Sequence, residues 1–143
     1  GEEFCRTKYM DGNSYRSSDA VNKLDWKRRE LFDQTVSYYK GLIALRKGNK
    51  AYEDLTADPR EVCKRIGSPD GTAVYYVGEH LYCVNNTDRP VKIKFTGRGT
   101  VLADIRQADP EGLYRAEGEV SVEAHGVTAF LPDEGRNSVI TVE

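Results

Sequence analysis

The sequence predicts a mainly β fold: a C-terminal antiparallel β-sandwich, preceded by one long helix that the sandwich alone does not account for. Three observations predict it. Between Trp26 and Lys47 apolar residues recur at three-four spacing, the period of one helix face. From Thr72 onward the period drops to two, in short runs divided by Gly, Asn, Asp and Pro. About seven such runs fit before the chain ends, which is the pattern of a sandwich.

The helix is the plainest element. Leu31, Phe32, Thr35, Val36, Tyr39, Leu42, Ile43 and Arg46 share one face. Asp25 is placed to cap its start. Arg46 and Lys47 sit where cations oppose the negative dipole end, and Gly48-Asn49 suits the stop. Such a helix is about 30 Å long and needs a large apolar partner. Residues 1–25 are polar and turn-forming and cannot supply one. The uncovered face is expected to take the sandwich or a second copy of the chain, so self-association is one expectation.

In that first stretch Asp11-Gly12-Asn13-Ser14 is a turn signal, and Ser17-Ser18-Asp19 can cap a short helical turn through Val21 and Leu24. A loop this long is functional or disordered. After the helix, Asp58-Pro59-Arg60-Glu61 has a cap, a Pro at the first helical position and a Glu that reaches back. A short helix is predicted from there to Gly67. The domain limits read 1–50, 51–69 as connector, and 70–143 as sandwich.

Within the sandwich, Thr72–Val77 and His80–Asn85 read as a hairpin about Gly78-Glu79. Val74-Tyr75-Tyr76-Val77 is apolar on both faces, as in a strand covered on both sides. Val91–Phe95 alternates with Val91, Ile93 and Phe95 inward, and Thr100–Ile105 follows after a predicted hairpin turn at Gly97-Arg98-Gly99. Gln107 to Gly118 reads as a loop. Val120–Val122, Val127–Leu131 and Ser138–Val142 complete the strands.

The bulk numbers exclude some functions. Of 143 residues, 38% are hydrophobic and 31% charged, which suits a globular chain and not a disordered one. No apolar run approaches the ~20 residues that span a bilayer, so no membrane partner is expected. The net charge is −2 with both signs interspersed, so no nucleic-acid partner is expected. The chain opens Gly1-Glu2-Glu3-Phe4 without Met, which leaves its compartment undefined. Cys5, Cys63 and Cys83 make no dense framework and read as small buried thiols, with a disulfide between two of them left open. Asn85-Asn86-Thr87 matches a glycosylation sequon, a triplet common by chance.

Chemistry-bearing residues are few. Glycosidases need two carboxylates, about 5–5.5 Å or 6.5–9.5 Å apart, one on each side of the scissile bond. Glu2 and Glu3 are adjacent, and on a strand they would point to opposite faces. His80 and His125 lie on different predicted strands without a metal-ligand neighbour at suitable spacing. No metal site and no cofactor is expected, and no Gly-rich phosphate loop or nucleophile elbow is present. Of nine tyrosines, Tyr9, Tyr15 and Tyr114 lie in predicted loops and suit ligand contact. Tyr75, Tyr76 and Tyr82 suit packing in the sandwich, and Tyr38 and Tyr39 the helix.

One stretch carries more specific information. Gly1-Glu2-Glu3-Phe4-Cys5-Arg6-Thr7-Lys8, Asp11-Gly12-Asn13-Ser14-Tyr15 and Asp19-Ala20-Val21-Asn22-Lys23-Leu24-Asp25-Trp26 resemble consecutive motifs of type I pullulanases, a branch of the α-amylase superfamily. Tyr38-Tyr39-Lys40-Gly41-Leu42-Ile43-Ala44-Leu45-Arg46-Lys47 is similar to a helix of the same family. The specific match covers about the first third of the chain.

The resemblance implies that the chain is a C-terminal portion of a starch-debranching glycoside hydrolase. Gly1–Phe4 would be the last strand of a (β/α)8 barrel, the loop to Trp26 would lie on the barrel's C-terminal face, and Trp26–Lys47 would be its last helix. It implies α-glucan as the partner, met through the parent enzyme. The family's catalytic carboxylates lie on earlier strands and none maps here, so no catalytic residue is assigned and the chain alone should be inert. By the same carry-over Asn13 and Tyr15 are candidates for hydrogen bonding or stacking at a glucan subsite. The departures are Cys5, where the family usually has Leu, and Tyr9-Met10, where small glycines are common. The competing expectation is a non-catalytic β-sandwich that binds carbohydrate or packs between domains.

Overall fold

A computed structural model of the chain describes residues 1–53 and 58–143; residues 54–57 of the expected connector lie outside the described residues. The chain divides into two units, Gly1–Lys40 and Gly41–Glu143.

The first unit is short helical turns tied by side chains. Glu2–Phe4 is a 3-10 turn, not the expected strand. A strand needs a ladder partner; here the Gly1 carbonyl accepts from Arg6 N at 2.9 Å and the Glu2 carbonyl from Cys5 N at 2.9 Å, so the chain folds back on itself. Phe4 is buried with its ring 5.8 Å from that of Trp26. A second 3-10 turn, Ser14–Arg16, leads to α1, Asp19–Asn22.

The expected single helix from Trp26 is two. α2, Arg28–Leu31, is followed by α3, Asp33–Gly48, and Phe32 between them leaves the helical region at φ −115 and ψ 37. α2 belongs to the start of the chain. Arg28 Nη2 donates to the Cys5 carbonyl at 2.6 Å, and its guanidinium lies 4.9 Å over the Phe32 ring. Asp25 caps locally, its Oδ1 accepting from Lys27 N at 3.1 Å.

In the second unit the last turns of α3 meet the sheet. Leu45 is buried against Leu102, Ala103 and Ala129, so the sandwich is the partner that this part of the helix finds. Leu42 and Ile43 stay 39% and 53% exposed. The helix stops where Gly48-Asn49 predicts. Asn49 is buried, accepts from Ala51 N at 3.1 Å and donates to the Val77 carbonyl at 2.9 Å.

Asp58 caps α4, Pro59–Val62, through Arg60 N, as its sequence predicts. The helix does not reach Gly67. Arg136 takes the Glu61 and Val62 carbonyls that a longer helix would use, and Cys63–Ile66 becomes β1.

Six further strands follow: β2 Thr72–Val77, β3 His80–Asn85, β4 Val91–Ala103, β5 Tyr114–Val122, β6 Val127–Pro132 and β7 Ile140–Val142. They are ordered β1-β2-β3-β6-β4-β5, with β7 also on β4, and all pairings are antiparallel. The β2–β3 hairpin stands where predicted, with Gly78 at φ 59.

The expected turn at Gly97-Arg98-Gly99 is instead an irregularity inside β4, where the register with β5 shifts between Lys94 and Arg98. Gly97, at φ 76, takes a left-handed backbone there without a side-chain penalty. The shift lets one strand serve two layers. Its first part pairs with β7 at Ile93–Phe95, and its second part pairs with β6 at Gly99–Ala103. β5 begins inside the expected loop because its first residues are largely exposed and show no apolar run.

The resulting core lies between the layers. Val74, Tyr76, Leu81, Cys83, Val101 and Phe130 come from one side; Val91, Ile93, Phe95, Val120 and Val122 come from the other. This is the predicted β-sandwich. On the outer face of β2 and β3, Tyr75 and Tyr82 stack at 5.8 Å and 21°. That explains why β2 is apolar on both faces.

All three cysteines are free, and only Cys83 is buried. Cys5 sits on a turn and Cys63 on an edge strand, so both are exposed where buried thiols were expected. Asn85 is buried, its amide donating to the carbonyls of Arg89, Val122 and Glu123, so the sequon residue is spent on structure.

Candidate functional site

The loop between the first turn and α1 is built by short-range side-chain bonds. The Lys8 carbonyl accepts from Asp11 N at 3.0 Å, closing a tight turn with Tyr9 and Met10 at its centre. Both have left-handed backbones, φ 52 and φ 69, the pairing of a type I′ turn. Asp11 Oδ1 then accepts from Asn13 N at 3.1 Å, and Ser17 Oγ donates to Asp11 Oδ2. The Ser17 hydroxyl, the Asn13 amide and the Lys8 charge hold the Asp11 carboxyl below the usual carboxylate range. Lys8 Nζ donates to Ser14 Oγ, and Asn22 Nδ2 donates to the Ser14 and Ser17 carbonyls at 2.7 and 2.9 Å. Arg6 ties α1 down through the Asn22 carbonyl.

These bonds leave an open depression of about 570 Å³, lined by Lys8, Asp11, Gly12, Asn13, Ser14, Tyr15 and Asn22. Asn13 and Tyr15, the two candidates from the sequence, both line it. Tyr15 is 72% exposed, and the Arg16 guanidinium lies 5.2 Å from its ring. Sequence reasoning missed Lys8, Ser14 and Asn22. The Asp11-Gly12 turn signal points to the loop, but nothing in the spacing points to the side chains that shape it. The depression offers one cation, one carboxylate, amides and an aromatic face. It can hold a neutral polyhydroxyl ligand by hydrogen bonds and ring stacking.

The remaining candidates stand elsewhere. Glu3 pairs with the Gly1 ammonium at 3.1 Å, and neither Glu2 nor Glu3 lines the depression. His80 packs edge-on to Tyr82 at 6.4 Å, and burial holds its imidazole below the usual pKa. His125, at φ 53, pairs through Nε2 with Asp88 at 2.9 Å. Tyr114 is half exposed at the start of β5 in the other unit. Among the described residues no group of three or more His, Cys, Asp or Glu gathers as a metal site.

Comparison with known proteins adds the decisive observation. No protein-family model matches the chain. The chain is 54% identical over 52 residues to the pullulanase of Bacillus subtilis (strain 168), which is 36% of this chain and 7% of that protein. The solved pullulanase from Bacillus acidopullulyticus matches 92% of this chain with a TM-score of 0.82 and 25% identity. The type I pullulanase from Bacillus subtilis str. 168, solved with maltose, matches 92% with a TM-score of 0.70 and 28% identity. The chain is similar in sequence and in fold to pullulanases.

The fold of the pullulanase from Anoxybacillus sp. LM18-11, solved with maltotetraose, also agrees, at TM-score 0.76 and 24% identity over 92% of this chain. The chain spans 18% to 20% of the length of these solved pullulanases. Tyr9 and Met10 hold left-handed backbones, which glycine would adopt freely.

Proposed function

We propose that the chain is a C-terminal portion of a pullulanase-like debranching enzyme, whose whole form hydrolyses α-1,6-glucosidic links in pullulan or branched starch by a retaining, two-carboxylate mechanism. In this reading residues 1–50 close the catalytic barrel, 51–69 connect, and 70–143 form the supporting sandwich. The chain supplies no catalytic carboxylate and is inert alone. Its share in the reaction is to bind: Asn13 hydrogen-bonds and Tyr15 stacks on a glucan residue. The observation that carries this is the open depression that gathers Asn13 and Tyr15 beside Lys8, Asp11 and Asn22.

The test has two parts. Incubated with pullulan, the chain releases no reducing sugar; clear turnover overturns the reading. Titrated with maltotetraose and followed by amide NMR shifts, it responds at residues 8–15 and at Asn22. Shifts confined to residues 70–143 would instead support the sandwich as a carbohydrate-binding module.

A packing role for the sandwich has its own support. Its aromatic cluster is already engaged: Tyr75 stacks on Tyr82, Tyr82 bonds the Tyr52 hydroxyl, and Arg46 lies 5.7 Å over the Tyr52 ring. That arrangement fastens the end of α3 to the sheet and leaves no row of free rings for sugar.

A further inference from the structure

We propose that Tyr9 and Met10 extend the glucan-contacting surface of this loop, as an apolar tip against which a sugar ring lies; the inference rests on the glucan reading of the neighbouring depression. Three observations carry it. First, the two residues occupy the central positions of the turn closed by Lys8 and Asp11, and both closing residues line the depression. The tip therefore stands at the rim of that depression. Second, both have left-handed backbones, which cost an L side chain about 1–2 kcal/mol each and which glycine would adopt freely. Side chains kept at such positions carry a cost that the turn itself does not require, and strain of this kind gathers at ligand-contacting sites. Third, the side chains bury little within this chain: Tyr9 is 74% and Met10 101% exposed. Packing within this chain does not explain them.

The ligand chemistry follows from the residue types. A tyrosine ring stacks on the apolar C–H face of a pyranose, and an unbranched thioether adapts to the edge of such a ring. Together with Tyr15, also largely exposed, the loop then presents two aromatic rings on either side of the polar groups Lys8, Asp11 and Asn13 in sequence.

The test is maltotetraose affinity, read by amide NMR titration of the whole chain. Replacing both tip residues, Tyr9→Gly with Met10→Gly, relieves the turn and keeps its hydrogen bond. The expected result is a Kd at least about fivefold weaker, the scale of one lost ring contact, with a melting temperature equal to or above that of the parent chain. Tyr9→Phe keeps the ring and should hold Kd within about twofold. A purely structural role for the tip predicts the opposite for the glycine variant: a steadier loop and unchanged or tighter binding. If Asn13→Ala and Tyr15→Ala lose binding while the glycine variant keeps it, the inference falls and the glucan reading stands. If the parent chain binds no maltotetraose, both fall.

Discussion

Gly41 of α3 lies so close to Ala108 that a Cβ on it would meet the Ala108 carbonyl oxygen at 1.8 Å. A glycine inside a helix costs about 1 kcal/mol relative to alanine. Here that cost permits the helix to reach the segment after β4. Gly41→Ala would regain the propensity but push helix and backbone apart, and overpacking of this kind costs about 1–3 kcal/mol. Because the obstacle is backbone and cannot rotate aside, the net expectation is a loss of about 2 kcal/mol. Urea denaturation reads it, and a variant as stable as the parent would show that the contact is slack.

Arg136 fastens the edge of the sandwich. Its guanidinium donates to the carbonyls of Gly78, Glu61 and Val62, which lie at the β2–β3 turn and in α4. Hydrogen bonds from a charged donor to backbone carbonyls are worth about 1.5–3 kcal/mol. Arg136→Ala should cost about 2 kcal/mol and loosen β1 first. Hydrogen exchange at Lys64–Ile66 should accelerate more than exchange in β3.

Alkaline pH should weaken the second unit. Burial pushes the Cys83 thiol from 9.0 up to about 11, and burial with the neighbouring Tyr82 raises the Tyr52 hydroxyl from 10.0 to about 12. Both groups hold their protons more tightly folded than unfolded. The unfolded chain therefore binds fewer protons above pH 9, and stability falls as pH rises. The contribution is fully present below about pH 9 and is lost as pH passes 11 to 12. Cys83→Ala should flatten the lower part of that decline, and stability measured from pH 8 to 11 tests it. In the same range of conditions Cys5 and Cys63 should react with a thiol reagent at once, and Cys83 only on unfolding.

The fold was legible where a local rule decides it. The hairpin of Thr72–Val77 and His80–Asn85 follows from alternation on both arms and a glycine between them. The end of α3 follows from Gly48-Asn49, and the start of α4 from Asp58-Pro59. The misreadings share one cause, which is that the deciding contact is distant in sequence. Gly97-Arg98-Gly99 has the composition of a reversal, but β5 and β6 hold the chain extended through it. Cys63–Ile66 reads as helix because the Arg136 contact that ends α4 lies over seventy residues away. The strand expected at Gly1–Phe4 finds no partner strand among the described residues of this chain.

The candidate site was legible in a different way. Asn13 follows from the resemblance alone, and Tyr15 from the resemblance and from its place in a predicted loop. The residues that shape the depression, Lys8, Ser14 and Asn22, meet across six to eight positions without a period. At the turn tip Tyr9 was legible as a loop tyrosine suited to ligand contact, and the Tyr9-Met10 pair as a departure from family composition. Its left-handed backbone, which gives that departure meaning, needs coordinates.

The most direct test of the account is a graft. Placing this chain into the Bacillus subtilis pullulanase, in place of the segment it matches, builds an enzyme whose catalytic carboxylates, on the proposed reading, all come from the host. The account predicts that the chimera releases reducing sugar from pullulan, and that Tyr15→Ala within the graft raises KM severalfold with a smaller effect on kcat. A chimera that folds cooperatively and releases none would contradict it.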